Sequence, residues 1–136
     1  SSNNQNKNLE CRGIFNENGG SIIFISSIVG LLGQPGKVGY SASKGALISA
    51  SKSLALELAS KKIRVNSVLP AMVKTEMSIN LLEKLPDDAK IKIEDMHPLG
   101  IGSPDDVANA VVFLLSDLSK WITGTSMIVD GGYSSL

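Results

Sequence analysis

The chain has 136 residues, 43% of them hydrophobic and 19% charged, with a formal net charge of zero. That suffices for one domain with a real core, and the balanced charge gives no electrostatic case for a nucleic-acid or anionic-membrane partner. The single cysteine, Cys11, cannot form an internal disulfide and reads as a spectator thiol; with no apolar run long enough to span a bilayer and no signal-peptide pattern, a cytoplasmic location is the default.

Residues 1–20 form a polar N-terminal segment set apart from the rest, 21–136. Residues 1–8 are too polar to bury anything, residues 9–15 suit a short helical piece, and Asn18-Gly19-Gly20 reads as a turn. Residues 22–25, Ile-Ile-Phe-Ile, are a continuous apolar, mostly β-branched run, the pattern of a strand buried on both faces. Residues 30–39 read as a glycine-rich loop containing Pro35. A long helix is then predicted over residues 40–60, with Leu47, Ala50, Leu54 and Leu58 as its apolar stripe. The stripe is expected to turn the start of this helix inward, away from bulk water. Gly45 costs this helix about 1 kcal/mol against alanine, which close approach by another backbone would explain.

A second buried strand is predicted over residues 63–69, stopped by Pro70. Residues 72–96 divide into two short helices at Pro86-Asp87-Asp88. Ser103 is a good N-cap, Pro104 suits the first helical position, and Asp106 stands three after the cap. That helix runs to about Leu115, with Val107, Ala108, Val111, Val112 and Leu115 on one side. Residues 126–129 make a third strand, ended by Asp130-Gly131-Gly132. Strand, helix, strand, helices, strand is the alternation of an α/β, doubly wound parallel sheet. Such sheets bind ligands beyond the carboxyl ends of their strands. Ser27 and the loop 70–75 both fall on that rim.

Three groups carry a chemistry. Tyr40 and Lys44 are four residues apart at a helix start, so they share a face, and Ser27 can meet them from a strand end. Reducing a carbonyl needs a hydride at carbon and a proton at oxygen. No side chain supplies a hydride, so a cofactor must. A phenol can supply the proton; its ordinary pKa is about 10, and a neighbouring ammonium favours the phenolate. Ser27 would hold the substrate oxygen with a fixed donor.

This combination resembles the Ser, Tyr-x-x-x-Lys signature of the short-chain dehydrogenase/reductase family. Further motifs agree in order and spacing over about residues 20–133: the strand leading into Ser27, Arg64-Val65-Asn66-Ser67-Val68-Leu69-Pro70-Ala71, Pro98-Leu99-Gly100, Ser103-Pro104-Asp105-Asp106-Val107-Ala108, Ile122-Thr123-Gly124 and Val129-Asp130-Gly131-Gly132. The resemblance implies the C-terminal half of a Rossmann-type domain with Ser27, Tyr40 and Lys44 catalytic. It implies NAD or NADP as cofactor, held at its nicotinamide end by Tyr40, Lys44, Pro70, Ala71, Val73 and Thr75, and a substrate pocket lined by Ile28, Val29 and Gln34. No metal is expected. Ala71 replaces the family's usual glycine, which is strained only if the position needs a positive φ. Thr75 also suits an N-cap. Residues 75–96 correspond to the family's mobile substrate loop or simply cover core, and His97 reads as structural or exposed.

The family's nucleotide half, with its glycine-rich turn and Asn-Asn-Ala-Gly strand end, has no counterpart here. Two functions follow. One is an NAD(P)-dependent oxidoreductase interconverting a small-molecule carbonyl and a secondary alcohol, working as a homo-oligomer. Within the family the segment most resembles bacterial 3-oxoacyl-(acyl carrier protein) reductases, so a carrier-bound acyl substrate is implied, with Lys61 and Lys62 either meeting the acidic carrier or forming a solvated helix end. The other is a truncated, catalytically inactive half-domain that acts only through association with another chain.

Overall fold

A computed structural model describes residues 18–136; the polar segment 1–8, the helical piece 9–15 and Cys11 lie outside the described residues. Three parallel strands, β1 (Gly20–Ile25), β2 (Ile63–Pro70) and β3 (Ser126–Val129), form one sheet in the order β1-β2-β3. Gly20 pairs with Ile63 and Ile25 with Val68 on one side of β2, and Ser67 pairs with Ser126 and Pro70 with Val129 on the other. All three strands therefore end on the same rim.

The helices are α1 (Val29–Leu32), α2 (Val38–Leu58), α3 (Glu76–Glu83), α4 (Asp87–Asp95) and α5 (Pro104–Leu115). Successive strand residues face opposite sides of a sheet, and α2 and α5 take opposite sides. Ala55 of α2 packs with Ile63 and Val65 in a cluster joined by Ile22, Phe24, Leu54 and Leu58. On the other face, Ser21 Oγ and Arg64 Nη2 both donate to Leu114 O, at 2.8 and 2.9 Å, at the end of α5. Arg64 also donates to Ser116 O and Ile122 O, so one guanidinium ties the end of α5 and the segment before β3 to β2. β2 is the spine: Val65, Asn66, Ser67, Val68 and Leu69 are wholly buried. Asn66 can sit there because its amide donates to Ile122 O and accepts from Thr125 N–H, both at 3.0 Å.

Three expectations need correcting. Residues 30–39 are not loop throughout, since Val29–Leu32 closes as a short helix ended at Gly33, whose φ is 72°. The inward face of α2 carries Ser51 and Ala55 as well as Leu54 and Leu58, while Ala50 is exposed. Small residues win this face because the helix lies close on the sheet. In α5 the buried residue is Leu114, and Val112 and Leu115 are exposed; all are apolar, so composition alone could not fix the rotation of the helix.

Gly45 meets its explanation. A Cβ on it would lie 3.2 Å from Gly30 O, and a Cβ on Gly30 would lie 2.8 Å from Gly45 N and from the Lys44 carbonyl carbon. The backbones of α1 and α2 touch here because both residues lack side chains. The start of α5 is fixed as its sequence predicts: the Ser103 N–H and hydroxyl donate to the Asp106 carboxylate at 2.6 and 3.0 Å. These two bonds, the backbone one first, hold the Asp106 carboxyl below its ordinary pKa.

Candidate active site

A cavity of about 400 Å³ opens at the carboxyl rim of the sheet. Each strand delivers part of its wall. Ser27 to Val29 follow β1, Ala71 to Val73 follow β2, and Tyr133 follows β3. Tyr40 comes from the first turn of α2, and Ile93 from α4.

Ser27 is buried, and its Oγ accepts the Val29 N–H at 3.2 Å. That bond uses the oxygen and leaves the hydroxyl proton uncommitted among the described residues. The Tyr40 hydroxyl likewise has no partner among the described residues. Its side chain is 48% exposed, so the apolar stripe of α2 turns this end less far inward than its spacing suggests. Lys44 stands one turn on. Its Nζ lies 5.7 Å from the centre of the Tyr40 ring and donates to Ile25 O at 3.3 Å, at the end of β1. An ammonium has three donors, so two more are available for a ligand. The backbone beneath is pinned by Ser26 Oγ, which donates to Lys44 O at 2.7 Å. Lys37 approaches the same ring at 6.0 Å.

The sequence-predicted residues divide into two groups. Ser27, Ile28, Val29, Gln34, Tyr40, Ala71 and Val73 line the cavity. Lys44, Pro70 and Thr75 stand outside its wall. Lys44 sits beside Tyr40, Pro70 accepts the Ile28 N–H at 3.0 Å and so ties the ends of β1 and β2 together, and Thr75 caps α3. The cap is reciprocal: Thr75 Oγ1 accepts from Ser78 N–H and Ser78 Oγ accepts from Thr75 N–H. Ala71 is unstrained, because Lys62 alone among the described non-glycine residues has a positive φ. Lys61 and Lys62 follow the far end of α2, about 30 Å from Tyr40 along a 21-residue helix.

Sequence reasoning missed other wall residues, among them Met72, Met96, Tyr133 and His97. His97 is 6% exposed, which removes the exposed reading. The available signal was weak: one histidine, before a proline, at the end of a helix covering the strand ends. Asp130 holds the β3 end of the site. Burial pushes its carboxyl up, but bonds from the Ser134 hydroxyl and from the Ser134 and Gly132 N–H groups outweigh that and hold it below its ordinary pKa. No group of described His, Cys, Asp and Glu residues is disposed to hold a metal ion. No helix of the described residues is long and apolar enough to cross a membrane. A larger cavity, about 720 Å³, lies at the opposite rim among Gly20, Ile63 and Trp121; it shares no residue with the first.

The family profile described as Enoyl-(Acyl carrier protein) reductase matches residues 9–134. The chain is 39% identical over 137 residues to 3-oxoacyl-(acyl-carrier-protein) reductase FabG of Thermotoga maritima, covering 92% of this chain and 54% of that protein. It is 47% identical over 114 residues to the (3R)-3-hydroxyacyl-CoA dehydrogenase of Homo sapiens, covering 83% and 42%. Among solved structures, a short chain dehydrogenase family protein from Francisella tularensis matches with a TM-score of 0.81 and 40% identity, covering 88% of this chain and 53% of that one. ElxO with NADP bound matches with a TM-score of 0.78 and 37% identity, covering 86% and 47%. The chain spans about half the length of the curated relatives it matches.

Proposed function

The chain belongs to the short-chain dehydrogenase/reductase family, and from that premise we propose that it forms the substrate and nicotinamide end of an NAD(P)-dependent oxidoreductase that interconverts a carbonyl and a secondary alcohol. The observation that carries this reading is the pair of uncommitted hydroxyls, on Ser27 and Tyr40, in one cavity at the sheet rim with an ammonium beside the phenol.

The nicotinamide, when bound, supplies or accepts the hydride. Every other part falls to this chain. Tyr40 gives its proton to the carbonyl oxygen in reduction and takes it back in oxidation. Ser27 donates a hydrogen bond to the same oxygen, where negative charge grows. Lys44 favours the phenolate that remains and has two donors left for a cofactor hydroxyl. The residues that would hold the nicotinamide end of a dinucleotide are Tyr40 and Lys44 on one side and Pro70, Ala71, Val73 and Thr75 on the other. Ile28, Val29, Met72, Ile93 and Met96 give the cavity apolar walls that keep water from the reacting carbon. Relatives named as 3-oxoacyl-(acyl-carrier-protein) reductase and 3-hydroxyacyl-CoA dehydrogenase favour an acyl thioester with oxygen at its third carbon.

The test is Tyr40→Phe in the complete natural polypeptide. Reduction of 3-oxoacyl substrates should fall by about 10²–10⁴ while the affinity for NADPH or NADH stays within a few fold. A Tyr40→Phe protein of normal activity would end the proton-donor role.

A second reading draws on the sheet. No described strand pairs with the outer edge of β1, and Ile25 at its end is 45% exposed. Unpaired edges invite another strand, so this segment would act only once more polypeptide covers that edge.

A further inference from the structure

His97 carries a polar atom that the reaction as described leaves unused. Its ring is fixed by two contacts. Nδ1 lies 2.8 Å from Ile93 O, the last turn of α4. The ring meets Tyr133 with centroids 5.1 Å apart and planes at 41°. Behind it, Pro98 packs on Gly132, where a Cβ would come within 3.1 Å of the proline ring. A carbonyl oxygen only accepts, so Nδ1 carries the proton, and in the neutral ring Nε2 is a bare acceptor. Nε2 is buried and has no partner among the described residues. Leaving a buried acceptor unpaired is costly. Such an atom calls for a reason, and His97 stands in the wall of the cavity that holds Ser27 and Tyr40.

We propose that His97 is a specificity-determining residue of the oxidoreductase site, its Nε2 accepting a hydrogen bond from a hydroxyl or amide N–H carried by the carbonyl substrate. The inference rests on the oxidoreductase reading and adds the class of substrate: a carbonyl compound with a second, hydrogen-bond-donating group. Tyr40 and Ser27 both address the reacting oxygen, so neither can read that second group. The apolar neighbours Met72, Ile93 and Met96 cannot accept its proton. A site built to bond a polar group rejects the analogue lacking it far more strongly than an apolar wall rejects a methylene.

Matched substrates test this in the complete natural polypeptide with NADPH and NADH. One pair is 1-hydroxy-2-butanone against 3-pentanone. The other is a 3-oxoacyl N-acetylcysteamine thioester against the S-butyl thioester, and it separates an amide donor from a hydroxyl. The wild type should prefer the donor-bearing member of at least one pair by tenfold or more in kcat/KM. His97→Asn keeps a donor for Ile93 O and removes the Nε2 acceptor. It should abolish the preference by raising KM for the donor-bearing substrate. His97→Gln, which restores an acceptor near Nε2, should recover part of it. Turnover without preference in the wild type, or the same preference in wild type and His97→Asn, overturns the role of His97 alone. No turnover of any of the four carbonyls overturns the oxidoreductase reading, and this inference with it. The wild-type comparison stands even if a variant fails to fold.

Discussion

At the scale of single residues, the meeting of Ser27 and Tyr40 in one cavity was legible because it depends on spacing, and spacing survives in a sequence. His97 was not. Its burial comes from Tyr133, 36 residues on, and from a proline packed on a glycine turn, contacts that no local pattern encodes. Asp130 is another residue whose part appears only in three dimensions. It ties down the loop that carries Tyr133 through the N–H groups of Gly132 and Ser134. Its carboxyl is held low in the folded state. A group depressed by folding stabilises fully above its unfolded pKa, and that contribution is lost as pH falls through the folded value. Asp130→Asn should therefore lower the urea midpoint at neutral pH. The gap from wild type should close as pH drops from about 5 toward 2, where the aspartate is itself protonated. A constant gap across that range would mean that the charge plays no part.

At the scale of elements, the strands were the easiest to read. β1 and β3 are built on short apolar runs bounded by turn residues, β2 sets Arg64, Asn66 and Ser67 among apolar residues before Pro70, and the observed limits differ from the expected ones by at most two positions. The helices were legible in extent but less so in rotation, because α2 and α5 carry apolar or small residues on more than one side. A tertiary contact, not periodicity, chooses the face. The crossing of α1 and α2 at Gly30 and Gly45 shows how narrow that choice is. Gly30→Ala should cost about 1–3 kcal/mol, the usual penalty for forcing a methyl into filled space. Gly39→Ala, in the first turn of α2 with open space around its Cβ position, should be neutral or stabilise by up to about 1 kcal/mol. Urea unfolding of the two variants side by side checks both. Equal effects would mean that the contact yields more easily than its distances suggest.

At the scale of the whole molecule, the parallel order was legible because strand–helix alternation permits few arrangements. The consequence for binding concerns the 136-residue chain taken alone. The proposed nicotinamide contacts form one end of a dinucleotide site, and the glycine-rich turn that grips a pyrophosphate is not in its sequence. Alone, it should not bind NADH or NADPH at micromolar concentrations, and the β1 edge that no described strand covers should make it self-associate. Titration followed by the cofactor's own emission, with size-exclusion chromatography of the same sample, checks both. Micromolar binding by a monomer would show that the rim loops suffice.

Such titrations must be read with Trp121 in mind. It is the sole tryptophan of the chain, 97% exposed, and borders the cavity on the rim opposite the site. An indole already in water emits at nearly the same wavelength whether the chain is folded or not. Intrinsic fluorescence is therefore nearly blind to unfolding here, and circular dichroism has to report it. The same blindness makes the indole a clean reporter of something else. A blue shift, or protection from iodide quenching, would signal that another surface has settled over that rim.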